Sequence, residues 1–200
     1  MIPYTEEMID YIGSKDPKLK KYIDKYGYIR WDTNEDIFSS IIFHIIGQML
    51  SNKAAQTIIK RFKALVGEIT PSNILSKRDD DIRACGISYS KVDYMKNFSK
   101  LVLDDNIRLD ELSELDDEEV ISRLTSIKGI GRWTAEMIAS FSLNRLNIFS
   151  YEDAALKSGI MKVHDEFKTL SRNRFNRLKK LYSPYCTVAA IYYYEINDNE

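Results

Sequence analysis

An apolar face recurring at three- and four-residue spacing runs through much of this chain and limits its fold more than any other feature. Residues 36–50 place Ile37, Phe38, Ile41, Ile42, Ile45, Ile46, Met49 and Leu50 on that face. Residues 53–66 continue it with Ala54, Ala55, Ile58, Ile59, Phe62 and Leu65, and set Lys53, Lys60, Arg61 and Lys63 among the polar positions. The punctuation is helical too: Thr70-Pro71-Ser72 opens a segment, Cys85-Gly86 closes one, and Asp116 with Glu119 makes a capping-box start for Val120, Ile121 and Leu124. No alternating strand pattern of useful length occurs, and short runs such as Asn147-Ile148-Phe149 sit between helices. There is no internal repeat and no low-complexity linker. An all-α fold of roughly ten short helices is the expectation.

Composition narrows the class. The chain has 200 residues with 44% hydrophobic content, enough to bury a core in one domain or two small lobes. Its 2 cysteines, Cys85 and Cys186, cannot supply the four thiolates of an iron–sulfur cluster or a cysteine-rich zinc site. A reduced compartment is the natural reading. The N-terminus carries acids where a signal peptide carries bases, and the most apolar run, residues 41–50, is too short to span a bilayer. The expectation is a soluble, cytoplasmic protein with no membrane partner. A net charge of −1 gives no global sign of nucleic acid, yet the charge is unevenly spread. Residues 104–119 are strongly acidic and residues 157–180 strongly basic, which fits either one basic face or two solvated helix faces of opposite sign.

The stretch IKGIGRWTAEM, residues 127–137, bears on function. One helix ends near Thr125, a tight turn uses Lys128-Gly129-Ile130-Gly131, and a second helix begins near Arg132 and carries Trp133, Met137 and Phe141. That is a helix-hairpin-helix. Glycine permits positive φ and has no Cβ to hold a ligand off, so backbone N–H groups at the new helix start can meet a phosphate, which the helix dipole also favours. A tight αα-corner with a glycine C-cap would use the same residues, and the glycines alone leave both readings open.

Five segments in order settle the comparison. FHIIGQMLSNKAAQTIIKRF (43–62), IRACGISYSKVDYMKNFSKLV (82–102), LTSIKGIGRWTAEMI (124–138), FSYEDAALKSG (149–159) and YSPYCTVAAIYYY (182–194) together resemble the helix-hairpin-helix DNA glycosylases, specifically the DNA-3-methyladenine glycosylase II family, over almost the full length. Three positions depart from that family's pattern: Met49 replaces the second glutamine of a QQ pair, Cys186 stands where arginine is common, and Tyr194 where tryptophan is common. The resemblance implies two helical lobes, approximately 36–148 with the hairpin near 116–142, and 1–35 plus 149–200, forming a single glycosylase unit with the active-site cleft between lobes.

The resemblance also implies roles. It puts the catalytic carboxylate at Asp153. Chemistry supports a carboxylate in such a reaction: hydrolysing an N-glycosidic bond builds positive charge on the sugar, and an ionised carboxylate beside the anomeric carbon stabilises that charge and can orient or deprotonate water. Asp153 also reads as the N-cap of the helix that follows, and capping hydrogen bonds favour the ionised form. Glu152 is read as a solvated neighbour. Trp133 occupies the position of the lysine nucleophile in relatives that nick the strand, so the implied enzyme is monofunctional. Trp133, Met137 and Tyr194 are the implied base pocket, where aromatic faces attract a cationic base by about 0.5–2 kcal/mol each. Gln48, Met49 and Leu50 are candidates to fill the gap left by the flipped base. Lys128, Gly129, Gly131, Arg132 and Thr134 make up the rest of the DNA-binding set. Main-chain carbonyls of Thr125, Ile127 and Ile130 are implied to hold a monovalent cation, Na+ or K+; no cofactor is required and no iron–sulfur cluster is expected.

The expected substrate is double-stranded DNA containing damaged bases, with removal of alkylated bases of the 3-methyladenine and 7-methylguanine type in base excision repair by a monomer. His44 and His164 read as structural, with no metal-ligand spacing around either. Three alternatives remain: a helix-hairpin-helix DNA-binding protein without chemistry, a helical protein-interaction domain, and a glycosylase for another damaged base. Asp153 speaks against the first, because a pure binder has no use for a carboxylate near phosphates. The glycine turn and Trp133 speak against the second.

Overall fold

The computed structural model describes residues 1–166 and 169–200; Phe167 and Lys168, inside the basic 157–180 stretch, lie outside them. The fold is all-α. Twelve α-helices and one 3-10 turn are present among the described residues, somewhat more than the periodicity suggests, because two are only 5 and 6 residues long and too short to show a period. The residues divide into two compact units, Met1–Thr33 with Ala139–Glu200, and Asn34–Ile138.

The central unit starts with α3 (Ile37–Gly47), following α1 (Glu6–Lys15) and α2 (Pro17–Tyr26) of the other unit. Asp36 caps α3 through the Ser39 N–H, and seven of its residues are buried. It packs on α4 (Asn52–Val66) and α7 (Tyr89–Leu103), and the short α5 (Pro71–Leu75) and α6 (Asp79–Ala84) pack on α7. After the 3-10 turn Asp110–Ser113 comes α8 (Asp117–Thr125), which opens with the full capping box of Asp116 and Glu119. The last helix, α9 (Arg132–Phe141), begins in this unit and ends in the other.

The terminal unit is built around α12 (Cys186–Asn199), whose residues 186–193 are all buried. A helix buried on every side is a core helix. Around it lie α1 (Glu6–Lys15), α2 (Pro17–Tyr26), α10 (Ala154–Val163) and α11 (Arg172–Tyr182). The three tyrosine hydroxyls of α12 find partners, as buried hydroxyls must. Tyr192 donates to the Gly27 carbonyl at 2.8 Å. The Tyr193 hydroxyl meets the Tyr182 hydroxyl at 2.6 Å and His164 Nε2 at 3.1 Å. Tyr182 in turn donates to Asp16 Oδ2 at 2.5 Å, so one hydrogen-bonded chain joins α1–α2, α11 and α12. His164 is the structural histidine its sequence context suggests.

Gly159 fixes how closely α10 approaches α12. A Cβ there would lie 2.1 Å from the Tyr193 carbonyl oxygen, so only glycine fits. That approach brings the start of α10 to the middle of α12.

Candidate active site

The hairpin is built as its sequence implies, with the two glycines in different roles. Gly129 takes φ +91, and a Cβ there would stand 2.4 Å from the Tyr94 ring, so Gly129 is required by the turn itself. Gly131 is not in the positive-φ region, and a Cβ on it would meet nothing within 4 Å. It is the residue from which α9 starts, its carbonyl accepting the Ala135 N–H at 3.0 Å. With no side chain there, nothing from Gly131 caps the first-turn amides.

The polar residues assigned to DNA are engaged in the free protein. Arg132 sends Nη2 to both oxygens of Glu118, at 2.9 and 3.1 Å, and Nε to Glu136 at 2.9 Å. Lys128 pairs with Asp93 at 2.9 Å. Thr134 is buried, so what it offers a phosphate is main chain rather than its hydroxyl. Gln48 donates from Nε2 to the Gly129 carbonyl at 2.8 Å, tying the end of α3 to the hairpin.

The turn after α3 carries an unusual side chain. Met49 has φ +59, a left-handed conformation that a non-glycine residue holds at a cost of about 1–2 kcal/mol. Its side chain is fully exposed at 101%. Lys91 of α7 holds this turn by donating to the carbonyls of Ile46 at 2.9 Å and Gln48 at 2.7 Å. Leu50, at 38% exposed, lines a cavity of about 330 Å³ with Trp133, His44, Phe43, Ser40 and Asn52 among its other walls.

In the terminal unit, Asp153 is buried at 5% and caps α10, Oδ1 accepting the Leu156 N–H at 2.8 Å. Its other oxygen, Oδ2, accepts from the Tyr194 hydroxyl at 3.1 Å. Glu152 beside it is exposed. The Tyr194 ring lies 5.7 Å from Trp31 and 6.3 Å from Phe141, centroid to centroid. The loop leading to Asp153 is pinned by Thr187, which donates to the Arg145 carbonyl at 2.7 Å and accepts the Ile148 N–H at 3.1 Å. Both oxygens of this buried carboxylate, at a helix N-terminus, thus accept hydrogen bonds.

The family profile of the HhH-GPD superfamily of base excision DNA repair proteins matches residues 42–184, a span that includes the hairpin and Asp153. The chain belongs to the HhH-GPD superfamily. It is 34% identical to DNA-3-methyladenine glycosylase 1 of Schizosaccharomyces pombe over 179 residues, 88% of this chain and 78% of that protein. Among solved structures it resembles a DNA-3-methyladenine glycosidase of Bacillus halodurans, with TM-score 0.86 and 31% identity over 96% of this chain and 89% of the other. It also resembles the Schizosaccharomyces pombe 3-methyladenine DNA glycosylase Mag1, solved in complex with abasic DNA, with TM-score 0.85 and 30% identity over 94% of this chain and 95% of the other.

Within this HhH-GPD chain, three residues emerge that motif reading passes over. Lys91 is one, set under the Met49 turn. Trp31 is another, its ring tilted against that of Tyr194 from far upstream. His44, read as structural from the sequence, is the third in the sense that its place is missed: it is half-buried on the cavity wall, 6.0 Å from Trp133. Met137 is buried one helical turn beyond Trp133. The carbonyls of Thr125, Ile127 and Ile130 are neutral oxygen donors of the kind a hard cation takes, although that of Ile127 already accepts the Ile130 N–H at 3.0 Å. Among the described residues no group of three or more His, Cys, Asp or Glu could hold a metal ion, and no helix is long and apolar enough to cross a membrane.

Proposed function

We propose that this chain is a monofunctional DNA glycosylase of the DNA-3-methyladenine glycosylase II type, which flips alkylated bases such as 3-methyladenine and 7-methylguanine out of duplex DNA and removes them by hydrolysis. The observation that carries the reading is Asp153, a buried carboxylate with both oxygens hydrogen-bonded, in a chain whose relatives bear the name of this activity. An alkylated purine is already cationic. When its glycosidic bond breaks, the electron pair goes to the base nitrogen and cancels that charge, so no general acid is needed. Positive charge moves to the sugar, where the Asp153 carboxylate stabilises it. Water then bonds to the anomeric carbon and gives up a proton, for which Asp153 is the available base.

In this reading Met49 enters the gap left by the base, since it projects fully into solvent from a strained turn, and Trp133 with Met137 takes the base, while Tyr194 holds Asp153 through its hydroxyl. The hairpin amides from Gly129 to Thr134 take a DNA phosphate, with Lys128 and Arg132 exchanging their acidic partners for the backbone. A monovalent cation at the Thr125, Ile127 and Ile130 carbonyls would add positive charge beside that phosphate; no chemical step runs through it. The protein acts as a monomer.

The test is product analysis on methylated duplex DNA. Free 3-methyladenine and 7-methylguanine should be released, leaving an uncut strand with an alkali-labile abasic site. Trp133 has no amine with which to form an imine, so borohydride should trap no covalent adduct. A trapped adduct at the level of a lyase would overturn the monofunctional assignment, and absence of any released base would overturn the activity.

A further inference from the structure

The cavity of about 330 Å³ in the central unit has a lining of Asn34, Ser40, Phe43, His44, Gly47, Leu50, Asn52, Ala55 and Trp133, within the size range of small-ligand sites. Among the described residues that line it, His44 is the one titratable side chain. Its imidazole plane stands at 79° to the indole of Trp133, with ring centroids 6.0 Å apart. No hydrogen bond joins its ring to any described residue. A half-buried imidazole with no internal partner, on the wall of a cavity that also holds the indole, is arranged to interact with whatever enters.

The surroundings leave its charge state to solvent and occupant. Burial lowers its tendency to protonate, with no charged neighbour contributing. Four charged groups on the elements around it have partners of their own, while Lys53, Lys60 and Arg61 of α4 are left as further charges on the neighbouring helix. On α3's own start, Asp36 accepts the Ser39 N–H. On α4, Lys63 lies over the Phe43 ring; on α7, Lys91 binds the carbonyls of Ile46 and Gln48; on α9, Arg132 is held by Glu118 and Glu136.

We propose that His44 determines which bases this pocket accepts: as the neutral ring beside Trp133 it admits a cationic purine, and once protonated it turns that purine away while leaving neutral bases unaffected. The proposal rests on the glycosylase reading in placing the base against Trp133. A second positive charge within a few ångströms in a partly dry cavity opposes a bound cation strongly, whereas it has no such effect on a neutral ring.

The experiment compares wild type, His44→Gln and His44→Phe from about pH 5 to about pH 8, the interval in which histidine titrates. One arm measures single-turnover release of 3-methyladenine from methylated duplex. The other uses the three proteins in a Trp31→Phe background, which leaves Trp133 as the sole indole, and reads the midpoint of fluorescence quenching by 1-methyladenosine, a cationic nucleoside, with adenosine as the neutral control. Wild type should lose at least about tenfold in both release and 1-methyladenosine affinity towards the acid end. Both variants should lose much less, and adenosine affinity should be flat in all three. Carboxylate titrations are common to the three proteins and cancel in the comparison. Parallel acid limbs in all three proteins would overturn the proposal. If wild type releases no 3-methyladenine at any pH, the glycosylase reading fails, and the nucleoside arm by itself decides the role of His44.

Discussion

Asp16 shows how one residue carries both a local and a distant load. Its Oδ1 caps α2 by accepting the Lys18 and Leu19 N–H groups at 3.0 and 3.2 Å, while Oδ2 takes the Tyr182 hydroxyl at 2.5 Å and lies 3.1 Å from His164 Nε2. Burial works against its ionisation, but the hydrogen bonds from His164, Tyr182 and Leu19 outweigh that and hold its pKa at about 2, below the ordinary 3.8. The folded pKa is the lower one, so the stability Asp16 contributes, about 2 kcal/mol, is present above the ordinary carboxylate range and is lost as pH falls through about 2. Asp16→Asn should therefore lower the urea midpoint at pH 6 but much less at about pH 2.5; an equal difference at both would place the effect elsewhere. Met49 carries a different load. It is held in a left-handed conformation with its side chain fully exposed, the kind of local strain that clusters at functional sites. Met49→Ala should fold normally and lose about tenfold or more in base release from a fully paired duplex, with a smaller loss when the lesion sits in a mismatch that is already easier to open. Equal losses on the two substrates would remove Met49 from the flipping step.

At the scale of elements, the hairpin separates what a turn needs from what a ligand needs. Gly129→Ala should lower stability, because φ +91 and the Tyr94 ring leave no room for a Cβ. Gly131→Val meets open space and should fold, yet it puts a branched side chain where a phosphate is to lie. Melting should thus detect the first substitution, and binding to undamaged duplex at fixed salt the second. A folded Gly131→Val protein that binds as tightly as wild type would reduce the turn to a corner between helices. The sequence makes this hairpin legible because caps and turn residues act within a few positions of one another: Asp116 with Glu119, and Asp153 with Leu156, are read directly from spacing. It does not reveal which glycine has the positive φ, nor that the ring of Tyr94, thirty-odd residues upstream, lies where a Cβ on Gly129 would be. His44 is illegible for the same reason, because its place beside Trp133 is set by how α3 meets α9.

For the whole molecule, periodicity was sufficient to give an all-α chain, but the change from one unit to the other at Ile138 falls inside α9, where a continuous helix leaves no mark in composition. The ring contact of Trp31 with Tyr194 likewise joins opposite ends of the chain and has no local signature. Function is concentrated in fewer residues than fold. Many core positions tolerate exchange for a similar volume, whereas the proposed chemistry depends on one carboxylate. The most direct measurement is therefore single-turnover release of 3-methyladenine from methylated duplex by Asp153→Asn, with folding and DNA affinity measured in parallel. Asparagine keeps the cap to Leu156 and removes the charge. The account predicts a folded protein that binds DNA at least as tightly as wild type and releases base at least about 100-fold more slowly; release at a near-normal rate would contradict it.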